Sequence, residues 1–445
     1  MNQEVEALVQ EAHDVKLEHI GEISLLYCES LVNMDRLKTI VIPNWKQMIQ
    51  NNEWKPLEKS ITEEIFAGAV VMFPDQLKYE LPEPRSRSVE ESTSEVSIKG
   101  PRDGFTEEVE TNVALIRKRM KTTSLNYEQV KIGRRGNSTV ALLYCKDITN
   151  ESILKELRAR LAKIDIDVLL GAAQLEEYLS DSPNSIFPLV DYIGRPDFAV
   201  QALMTGRFVI LIDGSPMAII GPINFLELIK SPEDIHFPFY YTIFQRMLRF
   251  VGLMVAMFLP GFWVSLFAYN IDQLPFPLLS TLVTARLGIP YPAPIETFII
   301  LGLFEMFREA GIRLPTAVGQ TVAVVGGLII GDAAIRSGLA SPSMLMVTAS
   351  AVVATFTLVN QSLSGTVTLI RIYVLLVSCI LGLFGFFIAS LSVIAYMATL
   401  KSFGVPYLEP ISQMKLKPII ISIINLPFHM KRERFKALHP KDKTK

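Results

Sequence analysis

Cysteine is nearly absent. The three present in 445 residues, Cys28, Cys145 and Cys379, are widely scattered, and Cys379 falls inside an apolar run. That spacing supports neither a disulfide framework nor a metal site. Histidine is scarce too, and His13, His19, His236, His429 and His439 all lie outside the most apolar part of the chain. No phosphate-cradling glycine loop, His-Glu-x-x-His, Cys-x-x-Cys or nucleophile elbow is found, so a soluble-type enzyme or a metalloenzyme is not expected. The chain therefore reads as a non-enzyme with no catalytic residue, cofactor or metal. A formal net charge of −2 offers no global field for nucleic acid. The opening MNQEVEALVQEAHDVKLEH lacks the basic and apolar regions of a cleavable signal, so the polar half is expected on the cytoplasmic side.

Charge is the other shortage, and it is local. Residues 1–240 read as a mixed soluble sequence, whereas from Phe250 to Leu400 charged residues are few and long runs have none. The mean hydropathy of +0.32 averages over that division and is too high for an ordinary soluble protein.

Taken in order, residues 22–81 predict a small α/β unit. Its strands are ISLLYC, FAGAVVMF and LKYEL, its helices lie around Trp45 and Ile61, and Asp75 sits in the last turn. The stretch LPEPRSRSVEESTSEVSIKG, rich in Pro, Ser and Glu, predicts a linker. A second unit opens with a helix capped by Thr106 and ending in Arg117, Lys118, Arg119 and Lys121. That basic end either satisfies the helix's own dipole or offers a site for an anion or acidic partner. Strands YEQVKIGR and STVALLYC, a helix from Glu151 to Lys163, and IDIDVLLG follow. GRFVILIDGSPMAIIGP is apolar enough to suggest a membrane segment, but Asp213-Gly214-Ser215-Pro216 interrupts it, so a buried hairpin is expected.

From Phe250 the chain enters the bilayer, and Arg246 and Arg249 before it agree with a cytoplasmic start. Pro260 predicts a kink or a break. The segment IETFIILGLFEMF holds Glu296 and Glu305 within roughly 15 residues, short of the roughly 20 needed to cross, so a re-entrant helix is expected. Two spans follow, a glycine-rich one from Thr316 to Ile335 and one from Met344 to Ser362, then a last run from Ile372 to Leu400. With about four spans both ends lie on one side, and the tail HMKRERFKALHPKDKTK, net +5, suits an anionic inner leaflet.

The ionisable groups inside this half are the candidates for function. Glu305, Arg308 and Glu309 stand at helical spacing, so they either neutralise one another or take part in gating. Asp332 either pairs with Arg336, one turn on, or contacts an ion. Thr348, Val352, Thr355, Val359 and Ser362 recur at i, i+4, i+7, i+11 and i+14, hence on one helical face, which suits a narrow pore or a helix-packing surface equally.

Several longer stretches carry a resemblance. KGPRDGFTEEVETNVALIRKR, RPDFAVQALMTGR and VILIDGSPMAIIGP in the polar half, with LPGFWVSL, ARLGIPYPAPIE, FREAGIRLPTAVGQ, VGGLIIGDAAI, LASPSM and SFGVPYLEP in the apolar half, resemble the A subunit of the GerA-type spore germinant receptors. The match runs from about Ser86 to Pro410. The segment SPEDIHFPFYYTIFQRMLRF is less regular than the resemblance leads one to expect. The resemblance implies a nutrient receptor of the spore inner membrane, acting with a permease-like B subunit and a C-subunit lipoprotein. It further implies a nutrient-gated channel for monovalent ions, with A subunits in a homo-oligomeric ring, and favours the pore reading of the stripe from Thr348 to Ser362. A transporter component using the carboxylates of Glu296, Glu305 or Asp332, or a scaffold for the partners, are the alternatives; the absence of an internal repeat argues against the transporter. The expected fold class is thus α+β/α-helical membrane. It comprises a first α/β subdomain (1–84), a linker (85–98), a second α/β subdomain (99–243), a membrane domain of about four full spans plus a short re-entrant helix (244–403), and an interfacial segment with a basic cytoplasmic tail (404–445).

Overall fold

The computed structural model describes residues 9, 12–21, 23–57, 60–81, 95, 97–313, 331–411, 434, 436–442 and 444. Most of the expected linker, of the glycine-rich span and of the tail lies outside the described residues.

The first unit is an antiparallel sheet in the order β1-β2-β4-β5-β3, formed by β1 (Val15–Ile20), β2 (Ile23–Cys28), β3 (Lys55–Pro56), β4 (Ala69–Phe73) and β5 (Leu77–Glu80). Alternation divides its side chains between two cores. Leu25, Tyr27, Val70 and Met72 meet Met48 of helix α1 (Ile42–Gln50), whereas Leu26, Cys28 and Val71 meet Ile65 and Phe66 at the end of α2 (Ile61–Ile65). The three strands and two helical stretches expected here are all present, and Asp75 is in the turn.

The second unit repeats the plan with longer strands. Its sheet runs β6-β7-β9-β10-β8, and every pairing is antiparallel. The strands are β6 (Leu125–Ile132), β7 (Ser138–Cys145), β8 (Asp191–Ile193), β9 (Phe208–Ile212) and β10 (Ala218–Gly221). The helices are α3 (Val109–Arg119), α4 (Glu151–Leu161), α5 (Ala172–Leu179) and α6 (Pro196–Met204). On β7 the period of two sends Ala141, Leu143 and Cys145 to a core shared with α3 and α6, and Val140, Leu142 and Tyr144 to one shared with α4 and α5. Both faces are covered, so β9 and β10 are buried throughout and the hairpin around Asp213 belongs to the sheet. Since no strand pair within either sheet is parallel, each unit is α+β in the strict sense. IDIDVLLG is not a strand; its carbonyls at Ile166 and Asp167 accept from the Arg134, Arg135 and Gly136 amides in the β6–β7 turn. Thr106 does not cap α3, because Asn112 reaches back to bond its N–H (2.7 Å) and carbonyl (2.6 Å).

The apolar half begins with α7 (Phe239–Tyr269), which runs helically through Pro260. Then come α8 (Phe276–Ala285), α9 (Ala293–Arg313), α10 (Pro342–Thr355) and α11 (Gln361–Thr399). The acidic segment is not short: α9 has 21 residues and is about 31 Å long, because the helix continues past Glu305 through Arg308 and Glu309 to Arg313. The long α11 is two antiparallel arms. Gly382 breaks it with φ of 62° and ψ of −142°, where a Cβ would stand 2.9 Å from that of Tyr269. The Tyr373 and Ser392 hydroxyls, about 28 Å apart along a straight helix, lie 2.8 Å apart here. Among the described residues Phe239–Tyr269 and the segment Ser362–Thr399, folded at Gly382, are long and apolar enough to cross a membrane; four full spans are not shown.

Arg117, at the basic end of α3, joins the two sheets. Fully buried, it donates to both oxygens of Asp14 (2.9 and 3.2 Å) and lies over the Phe66 ring, so this residue of the basic end makes an ion pair between units, whereas Arg119 donates to the Leu115 carbonyl of its own helix (3.1 Å). Replacing Arg117 with Met strands a buried carboxylate and is expected to cost about 3–5 kcal/mol. Urea unfolding of the purified chain checks this; Arg117→Lys should recover little, since the ammonium cannot reproduce the two-pronged contact.

Candidate functional site

Among the described residues, two clusters of charged groups lie inside the helical bundle. At the end of the bundle remote from the sheets, Glu296 of α9 is fully buried. Its Oε1 accepts from the Ser341 amide (2.5 Å) and hydroxyl (2.6 Å), which ties α9 to the start of α10. Its Oε2 lies 3.2 Å from Arg286 Nη2 but out of line for a hydrogen bond, so that contact is electrostatic. Arg286 in turn covers the Phe267 ring of α7.

The second cluster lies at the centre. Arg371, 1% exposed, donates to Glu305 (2.6 Å) and Thr368 (3.2 Å), and its other nitrogen faces the Ala351 carbonyl and the Thr355 hydroxyl. Arg308 pairs with the second oxygen of Glu305 and donates to Thr368 (3.0 Å). A guanidinium out of water is tolerable only with such partners. Eleven residues from Asn360, Arg371 stands about 16 Å along its helix from the sheet-bearing part, near half of a bilayer's apolar thickness. Arg371 was not among the residues singled out from the sequence, yet it is the lone charge between Gln361 and Thr399, which is the signal that finds it.

The stripe from Thr348 to Ser362 is not formed. α10 ends at Thr355, Val359 lies in the connection, and Ser362 starts α11. Thr348, Val352 and Thr355 do share a buried face, but it is turned to the chain's own core. Val352 packs with Ile300, Leu301 and Leu375, and the two threonine hydroxyls donate to carbonyls one turn back, at 2.8 Å for Thr348 and 3.2 Å for Thr355. Asp332 takes the bland alternative, an exposed pair with Arg336 at 2.7 Å.

The bundle is fastened to the second sheet. Asp234 accepts from Arg246 (2.7 Å) and Arg249 (2.9 Å), so the two arginines at the entrance to the apolar half are held by an internal carboxylate. Asn360 caps α11 and donates to Asp191 of β8, while Thr366 donates to the Ile186 carbonyl (2.6 Å). After α11 the chain returns to the same sheet: Ser402 bonds Leu189 and Ile223, and Phe403 packs on Phe208. Behind Asp191, burial works against the charged form of Glu227, but Arg207 and Lys230 outweigh it and hold its carboxyl down to about 2. Burial pushes the Asp191 carboxyl up to about 7.

Two antiparallel α+β units fastened to an apolar bundle with charges buried at its centre are the features of a membrane-associated protein. The chain belongs to the Bacillus/Clostridium GerA spore germination protein family, which it matches over residues 6–437, as a member of the A-subunit type. It is 40% identical over 446 residues to spore germination protein XA of Bacillus anthracis, covering 95% of this chain and 91% of that one. It is 35% identical to the uncharacterized membrane protein YfkQ of Bacillus subtilis (strain 168), over 77% of this chain and 67% of that one. Among solved structures it is similar to the N-terminal domain of the A subunit of the Bacillus megaterium spore germinant receptor GerK3, at 26% identity and a TM-score of 0.34, covering 49% of this chain and 92% of that one.

Two outcomes are expected. Glu305→Leu removes the partner of Arg371 and should cost about 2–3 kcal/mol, less than a fully enclosed pair because Glu305 is partly exposed, whereas Glu305→Leu with Arg371→Met recovers most of it. Thermal unfolding in detergent reads both. Because the folded-state value of Asp191 lies above its unfolded one, this carboxyl stabilises the fold at low pH, and that contribution is lost as pH rises from about 4 to about 7. Asp191→Asn should therefore gain in Tm over the parent between pH 5 and pH 8; a constant difference would show that Asp191 does not titrate in this range.

Proposed function

We propose that the chain is the A subunit of a nutrient-responsive spore germination receptor and acts as its channel-forming part. In this reading it sits in the spore inner membrane as a multi-pass protein with both α+β units cytoplasmic. It assembles as a homo-oligomeric ring, with a permease-like B subunit and a C-type lipoprotein, and releases monovalent ions when nutrient is sensed. The observation that carries the reading is the Glu305–Arg308–Arg371 cluster facing Thr355, a set of charges and hydroxyls kept at the centre of a largely apolar bundle. Such groups are costly at bilayer depth and are retained where an ion path or a switch uses them. Family membership supports the receptor role.

Thr348, Val352 and Thr355 line the path on opening, and in the closed arrangement they are covered by α9 and α11; Val359 and Ser362 stand at its mouth. Val352 then acts as a hydrophobic barrier, because an ion there sheds water without gaining an oxygen. The expectation is that Val352→Ser leaks ions without nutrient, whereas Val353→Ala, on the exposed side of α10, does not. Ion flux from receptor-bearing vesicles with and without nutrient is the measurement. If both variants assemble and Val352→Ser leaves resting and stimulated flux unchanged, α10 packs and does not gate.

A further inference from the structure

Three parts of the chain converge on one turn of four residues. The 3-10 turn Pro232–Ile235 is fixed by a capping box: the Ser231 hydroxyl accepts from the Glu233 amide, and the Asp234 carboxylate accepts from the Ser231 amide, both at 3.3 Å. Consecutive side chains on such a turn leave it about 120° apart, and the two acids use that divergence. Glu233 faces the start of the second unit. It pairs with Arg195 and accepts from the Lys99 amide (3.1 Å) and the Ser97 hydroxyl (3.3 Å). Asp234 faces the bundle and holds Arg246 and Arg249 of α7.

Residues 97–100 lead from the first unit into the second, and they pass through a tight gate. A Cβ on Gly100 would stand 2.2 Å from Arg195 Nη2 and 2.9 Å from the His236 ring. Asp197 fixes that gate, accepting from Arg195 (2.7 and 3.1 Å) with His236 Nε2 at 3.2 Å. Both acids of the turn are buried, as are Arg195, Arg246 and Arg249. A carboxylate that leaves its guanidinium in such surroundings strands two charges away from water, so the segment, the turn and the first turns of α7 are bound to move together.

We propose that Glu233 and Asp234 form a relay, the positioning residues through which a displacement of segment 97–100 against the second unit is passed to α7. What the relay serves rests on the receptor reading above; that it transmits does not. Nothing in the geometry requires the two acids to be adjacent unless the two contacts are to be linked, because either could be made from a separate loop.

The test uses the full-length receptor, wild type and Glu233→Ala, with hydrogen exchange and nutrient-evoked ion flux measured side by side. The relay requires that losing Glu233 speeds amide exchange at least tenfold both in residues 97–100 and in residues 239–249, which Glu233 does not touch, and that evoked flux per assembled receptor falls at least tenfold. Faster exchange confined to 97–100 overturns the relay, whatever the flux. Absence of evoked flux in the wild type overturns the receptor reading, and exchange alone then decides the relay. Should Glu233→Ala fail to assemble, Glu233→Gln, which keeps an acceptor oxygen but not the charge, is read by the same two criteria.

Discussion

A charge taken out of water needs a partner, and in this protein the partners mark every seam. Asp14 and Arg117 join the two α+β units. Asp234 holds Arg246 and Arg249 where the soluble part meets the bundle, and Glu305 holds Arg371 inside it. Each pair is weak evidence of net stability, since desolvation offsets much of the attraction, but breaking any one of them is costly. The seams are therefore specific: the parts fit in one arrangement, in which each of these buried charges has its partner.

Apolar packing supplies the area that the ion pairs align. Phe187, Leu189, Phe225 and Ile229, on the loops flanking β8 and following β10, share one core with Leu253 and Met257 of α7 and with Leu363, Val367, Val393 and Met397 of the two arms of α11. Tyr407 closes it from the returning chain, with Phe187 and Phe225 against its ring. The second α+β unit is thus continuous with the bundle through one apolar core.

The fold at Gly382 gives the bundle its connectivity. Without it, α11 would extend about 58 Å and leave the sheet behind. With it, the chain goes out along α7 and the first arm, meets Tyr269 at the far end, and comes back to place Ser402 and Phe403 on the second sheet.

Much of this was legible in the sequence, because period and composition are local. The alternation in STVALLYC, the spacing in the helix after Asn150, the turn at Asp213 and the change of character near Phe250 each follow from neighbours a few residues apart. Two units of mixed helix and strand followed by an apolar helical part were determined there, as were Glu296 and Glu305 as candidate groups inside the apolar half. Tertiary structure decided the rest. It ended α10 at Thr355, so that a stripe with perfect helical spacing was cut in two, and it folded α11 at a glycine that composition does not distinguish from its neighbours. It also gave Arg246 and Arg249 to Asp234, and Arg371 to Glu305, 66 residues away. A periodic pattern says which residues face one way but not what they face, and a buried charge says that it must have a partner but not which one. Both answers depend on groups distant in sequence, which only the packed chain brings within 3 Å.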